Sequence, residues 1–245
     1  MFPVEDLIFV ACVSNTAVLA QRLLASPCLQ RGRRRLITHY NAPSAADAFN
    51  RTMAGLRQDG ICPWLVWVHQ DVYLPEGWDT RFLASLQTAH SLFPNLAVAG
   101  VHGIAGAGSQ ARRAGHLLDR GQDLHESSAL PCLVDSVDEL LFAVRVDSGL
   151  HLDPALGYDF YGTDVVLEAQ EAGLQSAVVE AYCEHWSDTP MGGAMPAKAV
   201  QRILASASVF ERKWQHRFPI TTPCFDITAA GDVQKFARQF IAPSD

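Results

Sequence analysis

Apolar positions along the chain fall into short dense runs separated by polar punctuation. Leu7 to Val13 (LIFVACV) is apolar throughout and ends at Ser14-Asn15, after which AVLAQRLLAS places its apolar residues at helical spacing. That reads as strand, loop, helix. Arg35 to Tyr40 (RLITHY) gives a second strand, closed by Asn41-Ala42-Pro43. The following SAADAFNRTMAGLRQ offers Ser44 as a helix cap, Asp47 in the first turn, and Ala48, Met53 and Leu56 for an inner face. Trp64 to Val68 is a third strand, Trp78 to Phe93 a third helix and Leu96 to Gly100 a fourth strand. This alternation predicts a parallel sheet covered by helices.

The pattern breaks after Gly100. His102 to about Ser128 is rich in Gly, Ala, Arg and His without sustained periodicity, which predicts a long loop or irregular hairpin of a kind that is often functional. Leu133 to Val137 and Leu140 to Val146 read as two strands separated by Asp138-Glu139. Phe160 to Ala172 has helical spacing, Ser176 to Ala181 returns to strand, and Ala197 to Phe218 and Asp232 to Ile241 read as helices. With no internal repeat or linker, the expectation is one α/β domain over residues 1–245, built on a mostly parallel central sheet flanked by helices. A helical extension begins at about 197.

Composition narrows the partners. About half of the 245 residues are hydrophobic and 18% are charged, enough apolar material for a folded core. A formal charge of −7 argues against nucleic acid, whose binders carry a basic face, and leaves small molecules as the expected partners. The six cysteines (Cys12, Cys28, Cys62, Cys132, Cys183, Cys224) stand singly, with no CxxC pair, and read as reduced core or near-core residues of a cytoplasmic protein. The first apolar run follows Glu5-Asp6 and is far shorter than the roughly 20 residues of a membrane helix, so neither a signal peptide nor an anchor is expected.

In open α/β sheets ligands gather beyond the carboxyl ends of the strands. Ser14-Asn15, Asn41 and His69-Gln70-Asp71 all emerge there. The loop SNTAVL lacks the glycines of a dinucleotide site, and neither a GxxxxGK[ST] loop nor a GxSxG elbow occurs. Gly103, Gly106 and Gly108 are more simply a flexible loop. What remains is a phosphate-bearing ligand held with a divalent metal. His69 and Asp71, two apart on an extended strand, point to one side, and imidazole plus carboxylate suits Mn²⁺ better than Mg²⁺. The same spacing also suits a hydrogen-bonded pair or a helix cap. Cys183-Glu184-His185-Trp186 brings another imidazole to a strand exit, and Phe160-Tyr161-Gly162-Thr163-Asp164 puts a carboxylate in an opening helical turn.

Four blocks, VWVHQDVYLPEGW, DELLFAVRVDSGLHLDPALGYDFYGTDVVLEAQEAGL, VVEAYCEHWS and FERKW, together resemble the nucleotide-sugar glycosyltransferases of the GT-A fold. The likeness is to family 2, in the branch typified by the streptomycin-biosynthesis protein StrF. The resemblance covers most of Arg35 to Phe218. It implies a single-domain GT-A fold and inverting transfer of a sugar from a UDP, GDP or dTDP donor to an acceptor hydroxyl, the acceptor being unidentified. HQD takes the place of the family's DxD motif, making Asp71 a metal ligand. His69 departs from the usual first aspartate and is a second ligand, a supporting group or a sugar contact. His185 matches a family histidine as a further ligand or a packed neighbour of Trp186. Asp164 falls where the family carries its catalytic base, with Asp153 and Asp159 as substitutes and Glu168 structural. Ser14, Asn15, Asn41, Asp47, Asn50 and Gln70 are implied in donor binding, Lys213 at the diphosphate, and Arg112-Arg113 at an acidic acceptor or product phosphate. Two other classes fit the same residues: a non-catalytic nucleotide-sugar or glycan-binding module, and a metal-dependent phosphohydrolase or nucleotidyltransferase.

Overall fold

The computed structural model describes residues 7–60, 64–187 and 195–237. The amino-terminal half runs β1 (Leu7–Val13), α1 (Thr16–Gln21), β2 (Arg35–Tyr40), α2 (Ala45–Asp59), β3 (Trp64–Val68), β4 (Val72–Tyr73), α3 (Trp78–Leu92) and β5 (Leu96–Gly100). Five further strands follow: β6 (His102–Ala105), β7 (Arg112–Asp119), β8 (Gln122–His125), β9 (Cys132–Leu133) and β10 (Ser136–Val137). The chain continues with β11 (Leu141–Arg145), α4 (Tyr161–Glu171), β12 (Gln175–Val178) and β13 (Cys183–His185). It ends in α5 (Ala197–Trp214), the hairpin β14 (Ile220–Thr221) and β15 (Asp226–Ile227), and α6 (Asp232–Ala237).

The main sheet has the order β2-β1-β3-β11-β5-β12-β9. β1 pairs in parallel with β2 and β3, and β5 with β12, while β11 enters antiparallel between β3 and β5 and β9 closes one edge antiparallel to β12. The architecture is a mixed α/β fold with a parallel-rich sheet. Both faces are covered, which is why the strands carry near-continuous apolar runs. Along β1, Leu7, Phe9, Ala11 and Val13 join one core cluster with Trp78 and Phe82 of α3, whereas Ile8 and Val10 join the other with Phe49 and Met53 of α2. α2 starts where Ser44 Oγ accepts the Asp47 amide at 3.0 Å and stops at Gly60, in the left-handed region at φ 63°.

Four expectations need correction. The stretch from His102 to Ser128 is an antiparallel meander of β6, β7 and β8, and β7 extends through β13 to β4 in a second sheet. β6, β7 and β8 pair with one another, but the layer is completed by β13 from far along the chain, and the segment itself shows no sustained apolar period. Leu133 to Val137 is split between sheets, β9 pairing with β12 and β10 with β6. β11 runs against its neighbours, a direction that an apolar run does not encode. Of the helix expected over Asp232 to Ile241, residues 238–241 lie outside the described residues, as does Cys62. The other five cysteines are free; Cys28 and Cys183 are buried, and Cys224 is exposed rather than near the core. No helix among the described residues is long and apolar enough to cross a membrane.

A third apolar cluster joins Phe210 and Trp214 of α5 to Phe160, Leu167, Ile220, Ile227 and Val233, so the carboxyl-terminal helices pack on α4. The start of α4 is tightly seated. A Cβ at Gly162 would lie 2.7 Å from the Val137 carbonyl oxygen and 2.9 Å from Glu139 Cγ. Gly162→Ala is therefore expected to destabilise the protein by about 1–3 kcal/mol, read as a lowered denaturation midpoint. An unchanged midpoint would contradict this close approach.

Candidate metal centre

Three side chains meet at the carboxyl end of β3. One ligand atom from each of His69, Asp71 and His185 lies within 4.8 Å of the others, an arrangement that could hold a metal ion. His69 leaves the strand with its amide on the Leu140 carbonyl at 2.9 Å, and two residues on, Asp71 accepts the Trp186 amide on its own carbonyl at 3.0 Å. β4 then pairs with β13, setting His185 opposite Val72. Short antiparallel pairing between two strand exits thus joins residues more than a hundred positions apart.

Each member has a supporting partner. His185 Nδ1 hydrogen-bonds Asp119 at 2.8 Å while Nε2 lies 3.4 Å from Asp71 Oδ1. A carboxylate behind one imidazole nitrogen with the other turned towards a cation is the support that metal-bound histidines commonly have. His69 Nε2 lies 2.8 Å from the Tyr161 hydroxyl, and Tyr161 also accepts from Trp67 Nε1 at 3.1 Å. Burial holds the His69 imidazole below its usual value, so its ring is neutral and can donate a lone pair. Asp71 shows the opposite balance: burial pushes its carboxyl up, but the His185 hydrogen bond and the two imidazoles bring it down to about 2. For His185, burial works against the charge and is outweighed by Asp119 and Asp71, which lift it to about 9.

Without a cation, then, an imidazolium sits between two carboxylates. Metal binding has to displace that proton. The two imidazoles and one carboxylate fit a borderline divalent ion, and a Tyr161 hydroxyl and Asp119 carboxylate that orient the rings strengthen the fit. A pH dependence follows. The folded-state value of His185, about 9, exceeds the ordinary 6.5, so folding favours its protonated form. This contribution, on the order of 3 kcal/mol at most, is complete below about 6.5 and is lost as pH rises through about 9. In chelator, the melting temperature of the wild type is expected to fall across that window, and Asp119→Asn should flatten the fall. A melting temperature level from pH 6.5 to 9.5 would contradict the charge assignment.

The other sequence-predicted residues divide. Gln70 ties two strand exits together: its Oε1 accepts the Ser14 and Asn15 amides, each at 3.0 Å, and its Nε2 donates to Ser14 Oγ at 2.9 Å. Asn41 is exposed at the end of β2, at φ 51°, its amide on the Val13 carbonyl. These four belong to one rim with the His-Asp-His cluster. Asn15 spends its side-chain oxygen capping α1. Asp47 pairs with Arg51 on α2. Asn50 bonds both the carbonyl and the amide of Leu152, at 2.8 and 2.9 Å, and so anchors α2 to the loop before α4. Arg113 donates to the Pro223 carbonyl at 3.0 Å.

Asp164 is not one of the clustered residues. It is fully buried, and its Oδ1 accepts from Trp214 Nε1 at 2.7 Å and meets Lys213 Nζ at 2.8 Å. Burial pushes its carboxyl up, and Lys213 and Trp214 pull against that rise. Lys213 in turn reaches Asp153 and Glu168 at 3.1 and 2.8 Å. In this arrangement Asp164 and Lys213 join α4 to α5, and Asp159 is engaged by Arg202 at 2.9 Å. Glu139, Asp119 and Tyr161 carry no signal as site residues in the sequence. Their roles depend on tertiary placement. Glu139 is notable because Gly162 N, at the start of α4, donates to its Oε1 at 3.3 Å. Burial, with Asp159 and Asp138 beside it, raises its carboxyl well above the usual range.

No family model matches the chain. A curated protein of Fuscovulum blasticum, described as ATP synthase subunits region ORF 6, is 25% identical over 166 residues, 62% of this chain and 60% of that protein. The chain thus spans less than two thirds of that relative's length. Two solved structures are similar at 10% identity. One is A197 from STIV, with a TM-score of 0.47 over 75% of this chain and 86% of that one. The other is S. aureus TarS 1-349 in complex with UDP-GlcNAc, with a TM-score of 0.44 over 86% of this chain and 73% of that one.

Proposed function

We propose that the protein is a metal-assisted glycosyltransferase of the GT-A type, a single domain that moves a sugar from a nucleoside diphosphate to an acceptor hydroxyl with inversion. The observation that carries this reading is the His69-Asp71-His185 cluster at the end of a central strand, beside the Ser14-Asn15 loop that Gln70 ties to it. The residue resemblance of HQD, YGTD and CEHW to family 2 enzymes supports the same conclusion. His69, Asp71 and His185 would hold the cation, Mn²⁺ before Mg²⁺ by donor type. When bound, it supplies positive charge against the leaving diphosphate. Ser14, Asn15, Asn41 and Gln70 line the donor side of the rim.

The acceptor oxygen must lose a proton as it bonds to the anomeric carbon and the carbon–phosphate oxygen bond breaks. Asp164, enclosed by Lys213 and Trp214, is assigned to holding α4 and α5 together. Glu139 takes the role of base in this reading, since its carboxyl accepts the Gly162 amide at the start of α4, lies beside Tyr161, and is raised by burial so that it holds a proton once it has taken one. Incubation with UDP-, GDP- and dTDP-sugars and Mn²⁺ is expected to release nucleoside diphosphate, and Glu139→Gln to slow release by about 100-fold or more while donor binding persists. Neither binding nor release across the panel would reject the transferase reading.

The enclosure of Asp164 favours a second reading, a binding module for nucleotide-sugars or glycans on the same fold. Donor binding without turnover in the wild type would select it.

A further inference from the structure

We propose that the cavity lined by His116, His125 and Tyr182 is a second ligand site, taking an uncharged, hydroxyl-rich saccharide unit. This goes beyond the transfer reading and does not depend on it. The cavity, of about 280 Å³, is walled on its other sides by Arg81, Glu126 and Glu180. It is separate from the metal cluster. Along β7 and β13, Asp119 pairs with His185 and Leu117 with Cys183, so these four share one face of the layer. His116 and Tyr182 alternate to the other face, where their rings meet at 4.7 Å. His125, opposite His116 on β8, stacks on it at 4.1 Å and 14°.

The lining selects the ligand. Tyr182 and the outer face of His125 offer ring surface to the C–H face of a pyranose, and Asp123 fixes the His116–His125 stack by holding His116 Nε2 at 2.7 Å. Glu126 and Glu180 accept from hydroxyls, and Arg81 donates. Two carboxylates against one guanidinium disfavour an anion, and the polar walls disfavour an apolar molecule.

The test is a titration of the full chain with glucose, galactose, mannose, N-acetylglucosamine, maltose and cellobiose, following the histidine ring resonances by NMR. At least one sugar is expected to shift the His116 and His125 signals with a dissociation constant at or below about 10 mM. Tyr182→Ala should weaken that binding about ten-fold or more while Mn²⁺ affinity is retained. His125→Ala, at an exposed position, serves the same purpose should the tyrosine variant fail to fold. Asp71→Ala should leave the sugar response unchanged. No shift with any of the six sugars, a response to inorganic phosphate instead, or sugar binding lost in Asp71→Ala but kept in Tyr182→Ala and His125→Ala would each overturn the proposal.

Discussion

Asp71→Ala is expected to lower Mn²⁺ affinity by about two orders of magnitude or more, and with it any metal-dependent turnover of a nucleotide-sugar. Asp71 is the only carboxylate in the cluster, and the field of two imidazoles already holds it ionised down to about pH 2. Its removal leaves two nitrogen donors and strips His185 of one of the two carboxylates that position its ring. His185→Ala should cost nearly as much affinity, and Asp119→Asn less, because Asp119 acts through the imidazole. Calorimetric titration of the three variants measures the order. Equal and small losses in all three would show that the ion binds elsewhere.

Lys213→Met carries the largest expected change in stability. It leaves the enclosed Asp164 carboxyl without its ammonium partner and with only the Trp214 N–H on one oxygen, while its other oxygen has no hydrogen-bond partner among the described residues. Removing one partner of a buried ion pair costs about 3–5 kcal/mol. At the size of this chain that is a fall of roughly 10 °C in melting temperature. The double variant Lys213→Met, Asp164→Leu should recover much of the loss, since an apolar pair leaves no uncompensated charge. If the double variant is as unstable as the sum of the singles, the two residues are not coupled.

Much of this was legible where local pattern and tertiary role coincide. LIFVACV and WLVWV are apolar on both faces because both faces of the sheet are covered. His69 and Asp71 could be paired from their spacing alone, and His185 from its place after a strand. Asp164 shows the limit. Its position in the first turn of α4 was readable, but the indole and ammonium that enclose it come from α5, about fifty residues away. Tyr161 and Glu139 were hidden for a similar reason. One reads as a helix residue and the other as part of a turn, and only the seating of Gly162 against Val137 brings them to the rim. The strands from His102 to His125 stayed obscure because β13, which completes their sheet, lies some sixty residues on.

The reversed direction of β11 has a geometric consequence for how this cleft can vary. Leu141 faces Val68, so β11 begins where β3 ends, and the turn holding Asp138 and Glu139 is delivered to the floor beneath His69. A slip of one residue would exchange Leu141 and Ala143 for Phe142 and Val144 between the two packed layers, and would withdraw both acids at the same stroke. Register and floor chemistry are therefore locked together: the acids can be substituted in place, but they cannot be moved along the strand without unmaking the sheet.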